Sequence, residues 1–316
     1  ETCANIGNVL WNWRMFLATG EARFVDVIEL ALYNSVLSGV SLGGTDYFYV
    51  NPLRNTDPLP TELRWSRSRV PFVTSYCCPP NVVRTIAEVN GYAYSKRDNG
   101  LFVNLYGSNT VTTRLAAGTV KLRQETQYPW NGLVIITIDQ CPPSEFSSHL
   151  RIPGWARDAT VKLNGAPTDV IIKPGQFCQL RRTWQPGDAV ELNLPMPVEL
   201  IESHPLVEET RNQVAIKRGP VVYCLESYDL PNGVQVDDII VPLDAKWNVA
   251  YEPELLQGVT TLSADVRKRP TGNWTDELYQ PTRRKQLQTV TASFIPYYAW
   301  ANRGSAEMSV WLPVGH

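Results

Sequence analysis

No stretch of this chain approaches the roughly 18 consecutive apolar residues that a membrane-spanning helix needs, so neither a spanning segment nor a membrane partner is expected. Neither sign of charge is in excess. Lys and Arg number 29 against 31 Asp and Glu, and the net charge of −2 is scattered along the chain, without the basic stripe of a nucleic-acid-binding protein. There is no low-complexity tract and no repeat at solenoid period. Histidine is scarce: His149, His204 and His316 all fall in the later part of the chain or at its end, and each is read as structural. The paired CxxC knuckles of a zinc ribbon are missing too. There is no initiator Met and no signal peptide. The sequence enters at Glu1 inside a helical pattern, so a preceding segment carrying any localisation signal is expected.

What is there suffices for a sizeable core, since 316 residues with 43% hydrophobic content suggest two or three domains. Ten Trp and fourteen Tyr offer flat apolar faces with polar edges that suit sugar rings, although a β-rich core collects the same residues. The six cysteines divide by context. Cys141, Cys178 and Cys224 stand alone in strand-like apolar surroundings, where a free thiol behaves as a small hydrophobe. Cys3 and the adjacent pair Cys77 and Cys78, followed by Pro79 and Pro80, need another explanation, because neighbouring cysteines rarely bond to each other.

The first 95 residues read as mainly helical. Ile6, Leu10, Trp13 and Leu17 recur at helical spacing from Cys3 to Gly20, and a second helix over about 23–38 carries Val27, Leu30, Ala31, Asn34 and Leu37 on one face. DYFYVNPL alternates like a strand with Tyr47 and Tyr49 on one face, then a proline-containing loop leads to the basic run LRWSRSR. A third helix over about 81–89 follows the cysteine pair, whose prolines suit its first turn. Beyond Asn90 short alternating runs with NG and PGD turn signals indicate antiparallel β-sandwiches at about 96–197 and 198–316.

Zinc takes thiolate, imidazole and carboxylate ligands, and ligands close in sequence lose less entropy on assembly. Glu1 with Cys3 and Cys77 with Cys78 form two such pairs. Spacing alone leaves open a zinc site, a buried structural thiol cluster, or a redox switch in which Cys3 and Cys77 form a disulfide.

The words ETCANIGNVLWNWRM, YFYVNPL, TSYCCPPNVVRTIAEVNGYAYS, LRIPGWA, VAIKRGPVVYCLE and IPYYAWANRG together resemble, in order and spacing across nearly the whole chain, glycoside hydrolase family 127, the β-L-arabinofuranosidases, and its relatives. The resemblance implies a mixed α and β multidomain fold: the C-terminal part of an (α/α)6 barrel with the zinc site over residues 1–95, then two antiparallel β-sandwich domains at 96–197 and 198–316. It implies that Glu1, Cys3, Cys77 and Cys78 hold one zinc ion and that Cys77 is the nucleophile of a retaining double displacement on β-L-arabinofuranose or a related sugar of a glycan. Tyr49 and Glu29 are the implied sugar contacts; a core role for Tyr49 and a solvated or interhelical role for Glu29 stay open. Arg84 is a candidate salt-bridge partner. The family's acid/base glutamate lies upstream of the E-T-C word and is absent from these 316 residues, so little or no hydrolysis is expected of them alone. The competing reading is a carbohydrate-binding or structural β-sandwich protein with a purely structural zinc. A homodimer stays open. A zinc–thiolate centre is most easily kept in a reducing cytoplasm, with the periplasm and the exterior left open.

Overall fold

The computed structural model describes residues 1–56, 64–270, 278–279, 281 and 286–315. The centre of the expected proline loop and His316 lie outside the described residues. The chain is mixed α and β and divides into two compact units, Glu1–Leu37 with Ser75–Pro197 and Gly219–Val221, and Ser38–Thr74 with Val198–Arg218 and Val222–His316. The segment Ser38–Thr74, expected with the helices, therefore clusters with the C-terminal strands.

In the first unit, helix α1 spans Thr2–Thr19 and stops at Gly20, whose φ of 75° favours a residue without Cβ and whose N–H closes the last turn on the Phe16 carbonyl. Its buried stripe is Ile6, Val9, Asn12 and Phe16, with Leu10 and Leu17 exposed, a rotation from the expected Ile6–Leu10–Trp13–Leu17 face. Apolar residues lie on more than one side of α1, so period alone does not tell which side is covered. Helix α2, Ala22–Leu30, does not continue regularly to residue 38. It widens into a π-helix over Ala31–Val36 and then tightens into a 3-10 turn, Leu37–Gly39. The Asn34 amide accounts for the widening, because it donates at 2.8 Å to the Leu30 carbonyl and at 2.8 Å to the Pro220 carbonyl, inserting itself into the helical ladder. Leu30 is consequently exposed, and Ile28, Glu29 and Ala31 face inward. Helix α3, Cys78–Glu88, has its prolines in the first turn, where a missing N–H costs no hydrogen bond.

Two sheets complete this unit. One has four strands in the spatial order Gln176–Arg182, Phe146–Ile152, Gly100–Val103, Tyr94–Arg97. The other has six, running from Asn109–Leu115 through Gly118–Thr126, Leu133–Gln140 and Ala189–Asn193 to Thr160–Leu163 and Ala166–Pro167. Their alternating apolar residues meet in one core that includes Leu122, Ile136, Leu150, Leu180, Trp184 and Leu192. The Asn164–Gly165 turn signal is realised with both residues at positive φ, 51° and 81°, as a two-residue hairpin of primed type requires. One pairing departs from the antiparallel expectation. Gly100–Val103 runs parallel to Phe146–Ile152, because between them the chain builds three strands of the other sheet and re-enters in the same direction.

Gly132 carries a packing constraint that its φ does not show. A Cβ there would stand 1.8 Å from the Leu194 carbonyl oxygen, and Leu194 N–H already donates to the Gly132 carbonyl at 2.9 Å. Only a backbone shift relieves such a contact, so Gly132→Ala is expected to destabilise the protein by at least about 1–3 kcal/mol. A denaturation midpoint unchanged from wild type would show that the two segments do not approach in this way.

The second unit is built on a ten-stranded sheet whose long strands are Val259–Lys268 and Gln288–Pro296. Val241–Pro242 pairs in parallel with Val314–Gly315, again unlike the antiparallel expectation. DYFYVNPL is not a strand. Tyr47 makes only single bridges to Val40 and Val70, while Phe48 enters the core and stacks on Trp300 at 4.9 Å. The Arg69 guanidinium also lies over the Phe48 ring and donates to the Ser38 and Trp300 carbonyls, tying Ser38–Thr74 to this core. At the end of Val221–Glu226 the buried Glu226 pairs with Arg303 and accepts the Ala301 N–H at 2.6 Å, so its charge is matched.

Candidate functional site: a thiol–carboxylate cluster

Glu1 caps the start of α1 and Cys3 lies in its first turn; Cys77 caps α3 and Cys78 is its first residue. The two helices pack against each other in the first unit, so their N-terminal ends bring together four groups separated by 74 residues of sequence. One ligand atom from each of Glu1, Cys3, Cys77 and Cys78 lies within 4.8 Å of all the others, and Cys77 Sγ and Cys78 Sγ are 3.7 Å apart. All six cysteines are free thiols. Cys78 is fully buried and Cys77 exposed, so the cluster has a closed side and an open one.

The electrostatics of the cluster favour neutral thiols in the absence of a cation. Burial pushes the Cys78 thiol up to about 12. The hydrogen bond with Cys3 raises the Cys77 thiol, with desolvation adding to it, so with no positive charge at hand both are protonated at neutral pH. Helix N-termini favour thiolates, but only by a fraction of what a divalent cation supplies. Three sulfurs and one carboxylate, in a group compact enough for a single ion, fit a tetrahedral thiolate-preferring metal such as zinc.

Asn81 is the residue that the sequence reading missed. Its side-chain amide donates to Cys3 Sγ at 3.2 Å, and Arg84 donates to its Oδ1 at 2.7 Å, so Arg84 reaches the cluster through a neutral residue, with no salt bridge among the described residues. The available signal was its place one turn after Cys78, on the same side of α3.

The remaining candidates lie elsewhere. Glu29, on α2, is 1% exposed and engaged on both oxygens: Arg151 pairs with Oε1, Tyr128 donates to Oε1 at 2.6 Å, and Trp155 Nε1 approaches Oε2 at 3.4 Å. It is therefore not solvated, and it joins a helix to the sheets instead of standing at the cluster. It also borders a largely apolar cavity of about 320 Å³ between α2, α3 and the strand entry at Leu105–Asn109. Tyr49 is half-buried in the second unit and stacks on Trp65 at 3.9 Å. His149 and His204 contribute no ligand to the cluster. Among the described residues, no helix is long and apolar enough to cross a membrane.

Three models of one family, placed end to end, match the chain: the GH127 β-L-arabinofuranosidase catalytic domain over residues 1–91, the GH127 middle domain over 100–196 and the family 127 C-terminal domain over 198–313. The chain belongs to glycoside hydrolase family 127. Among its relatives, a non-reducing end β-L-arabinofuranosidase of Bifidobacterium longum subsp. longum is 33% identical over 98% of this chain and 48% of its own length. A solved glycoside hydrolase superposes with a TM-score of 0.96 at 45% identity, covering all of this chain and 52% of that one. The structure of a GH127 β-L-arabinofuranosidase from Geobacillus stearothermophilus T6 gives 0.93 at 41% identity, covering all of this chain and 50% of that one. The chain thus spans about half the length of the relatives it matches.

Proposed function

We propose that this chain forms the zinc and nucleophile half of a retaining glycoside hydrolase that removes β-L-arabinofuranose, or a closely related sugar, from glycans. The observation that carries the reading is the convergence of Glu1, Cys3, Cys77 and Cys78 within 4.8 Å in a member of this family. Glu1, Cys3, Cys77 and Cys78 would hold the zinc, which would supply the positive charge that keeps the thiols ionised at neutral pH. Cys77, the exposed thiol, is the nucleophile: its sulfur attacks the anomeric carbon, the glycosidic C–O bond breaks, and the leaving oxygen takes a proton from a general acid. Water, deprotonated by the same group, then attacks the thioether carbon and returns the thiolate, giving net retention. Cys78 and Cys3 act as positioning residues, with Asn81 orienting Cys3. The acid/base glutamate is assigned to a position N-terminal to Glu1, and Tyr49 is the sugar-contact candidate that the reading keeps. Glu29 is assigned to the joint with Arg151. In this reading the helices complete an (α/α)6 barrel, and the two strand-rich regions are β-sandwiches.

The test pairs metal content with activity. About one zinc per chain is expected by elemental analysis, as four converging donors imply. In a polypeptide that also carries the acid/base glutamate, Cys77→Ser is expected to lower hydrolysis of a synthetic β-L-arabinofuranoside by at least about a thousandfold. Zinc retained with hydrolysis unaffected by Cys77→Ser would instead establish the structural reading, which a four-ligand closed shell favours.

A further inference from the structure

The four-stranded sheet of the first unit has one face in the core and one facing out. Along Phe146–Ile152 the outward side chains are Ser147, His149 and Arg151, while Phe146, Leu150 and Ile152 enter the core. One end of the outer face is covered: Arg151 is buried under Asp26 and Glu29 of α2, and Phe177 meets Phe16 of α1. The other end is open. There the strand register sets Phe102, His149 and Gln179 in one row and Gly100, Ser147 and Arg181 in the next. These two rows form the floor of a cavity of about 400 Å³, a size in the range of small-molecule sites.

The chemistry of this cavity is selective. Its charges are paired in place, Arg181 with Glu145 at 2.6 Å and Arg97 with Asp98 at 3.7 Å, which leaves these four groups with no net charge. His149 lies flat on Phe102, with ring centroids 4.0 Å apart and planes 4° from parallel, and its imidazole has no hydrogen-bond partner among the described residues. Gly100 makes room for it, since a Cβ there would stand 3.0 Å from His149 Nε2. Gln179 donates to Ser147 Oγ at 2.9 Å, and its amide oxygen remains available. Burial lowers the imidazole below its ordinary range, so at neutral pH the ring carries one donor and one acceptor. The edge of the stacked imidazole and the Gln179 and Ser147 side chains beside it offer donors and acceptors without net charge, which suits the hydroxyls of a neutral sugar.

We propose that this open end of the sheet is a second carbohydrate-binding site, remote in sequence from the thiol cluster, that holds a neutral sugar residue of a glycan against His149, with its hydroxyls on the imidazole nitrogens, Gln179 and Ser147. It has no part in bond cleavage and does not depend on the identity of the nucleophile. The site would keep a branched or polymeric glycan on the protein between cleavage events.

Isothermal titration calorimetry of the whole chain with arabinotriose, cellotriose and trigalacturonate tests the proposal. Millimolar or tighter binding of either neutral trisaccharide is expected, unchanged in Cys77→Ser. His149→Phe keeps the flat ring over Phe102 but removes both nitrogens, and Gln179→Leu alters an exposed position; each is expected to weaken binding at least about tenfold. Binding unchanged by His149→Phe and Gln179→Leu, binding lost in Cys77→Ser, binding of trigalacturonate alone, or no heat up to about 20 mM of any probe would overturn it.

Discussion

Arg151→Leu is expected to cost about 3–5 kcal/mol of folding stability, because it strands a buried carboxylate without its counter-charge. Arg151 is fully buried and reaches three groups at once: Glu29 and Asp26 on α2, and the Asn104 carbonyl, to which Nε donates at 2.6 Å. Burial alone would depress the guanidinium, but Glu29 and Asp26 outweigh it and hold Arg151 charged well above any accessible pH. Leucine replaces its volume in part and leaves Glu29, 1% exposed, with neutral donors only. Glu29→Leu together with Arg151→Leu is expected to be milder than Arg151→Leu alone, since it removes both charges, and a double-mutant cycle by urea denaturation measures this coupling. The variant also acquires a pH signature. Burial already raises Asp26 even with Arg151 present, and losing the cation raises it further. A carboxyl whose folded pKa lies above its unfolded one binds its proton more tightly in the native state, so Arg151→Leu regains stability as pH falls through the raised folded pKa toward the ordinary value of about 4. A loss below about 1 kcal/mol, or stability that falls with acid as steeply as in wild type, would mean that the pair is not the joint described.

Removing the proposed metal is the second large perturbation, and its pH dependence tests the proposed ligands. The Cys78 thiol sits at about 12 without a cation and that of Cys77 is also raised, so metal binding must displace a proton from each. Two protons released make the apparent affinity fall about a hundredfold for each unit of acidification, from these two cysteines alone. Dialysis against a chelator at pH 8, 7 and 6 is therefore expected to strip the metal with rising ease. The melting temperature is expected to fall together with the metal content, since the cluster links α1 to α3. Cys78→Ser, which alters the buried ligand, is expected to lose metal at every pH. Cys77→Ser leaves Glu1, Cys3 and Cys78 as donors and is expected to retain metal weakly at pH 8. Metal retention independent of pH, or a chelated protein that melts as before, would detach the cation from these thiols.

Much of this was legible in the residues. Gly20 ends α1 where its left-handed φ predicts, Pro79 and Pro80 mark the first turn of α3, and the alternation beyond Asn90 is local chemistry that a period of two reports directly. The two pairs of potential donors, Glu1 with Cys3 and Cys77 with Cys78, were also readable, because a pair of donors near one helix start is a local feature.

Other features depend on partners distant in sequence. The buried side of α1 was misread because Leu10, Trp11 and Leu17 are as apolar as the residues it covers. The π-widening at Asn34 requires the Pro220 carbonyl, 186 positions away. Glu29 looks like an ordinary helix glutamate until Arg151, 122 positions on, shows why it is buried. The sequence by itself determined which residues can ligate, turn, cap or alternate, since those properties belong to single side chains and their near neighbours. Only the tertiary structure decided that Cys3 meets Cys77, that Ser38–Thr74 joins the C-terminal strands, and that His149 lies on Phe102 at an uncovered sheet end. Such choices follow from which long-range packing buries the most apolar surface while leaving every buried charge paired, a quantity summed over the whole chain that no local window contains.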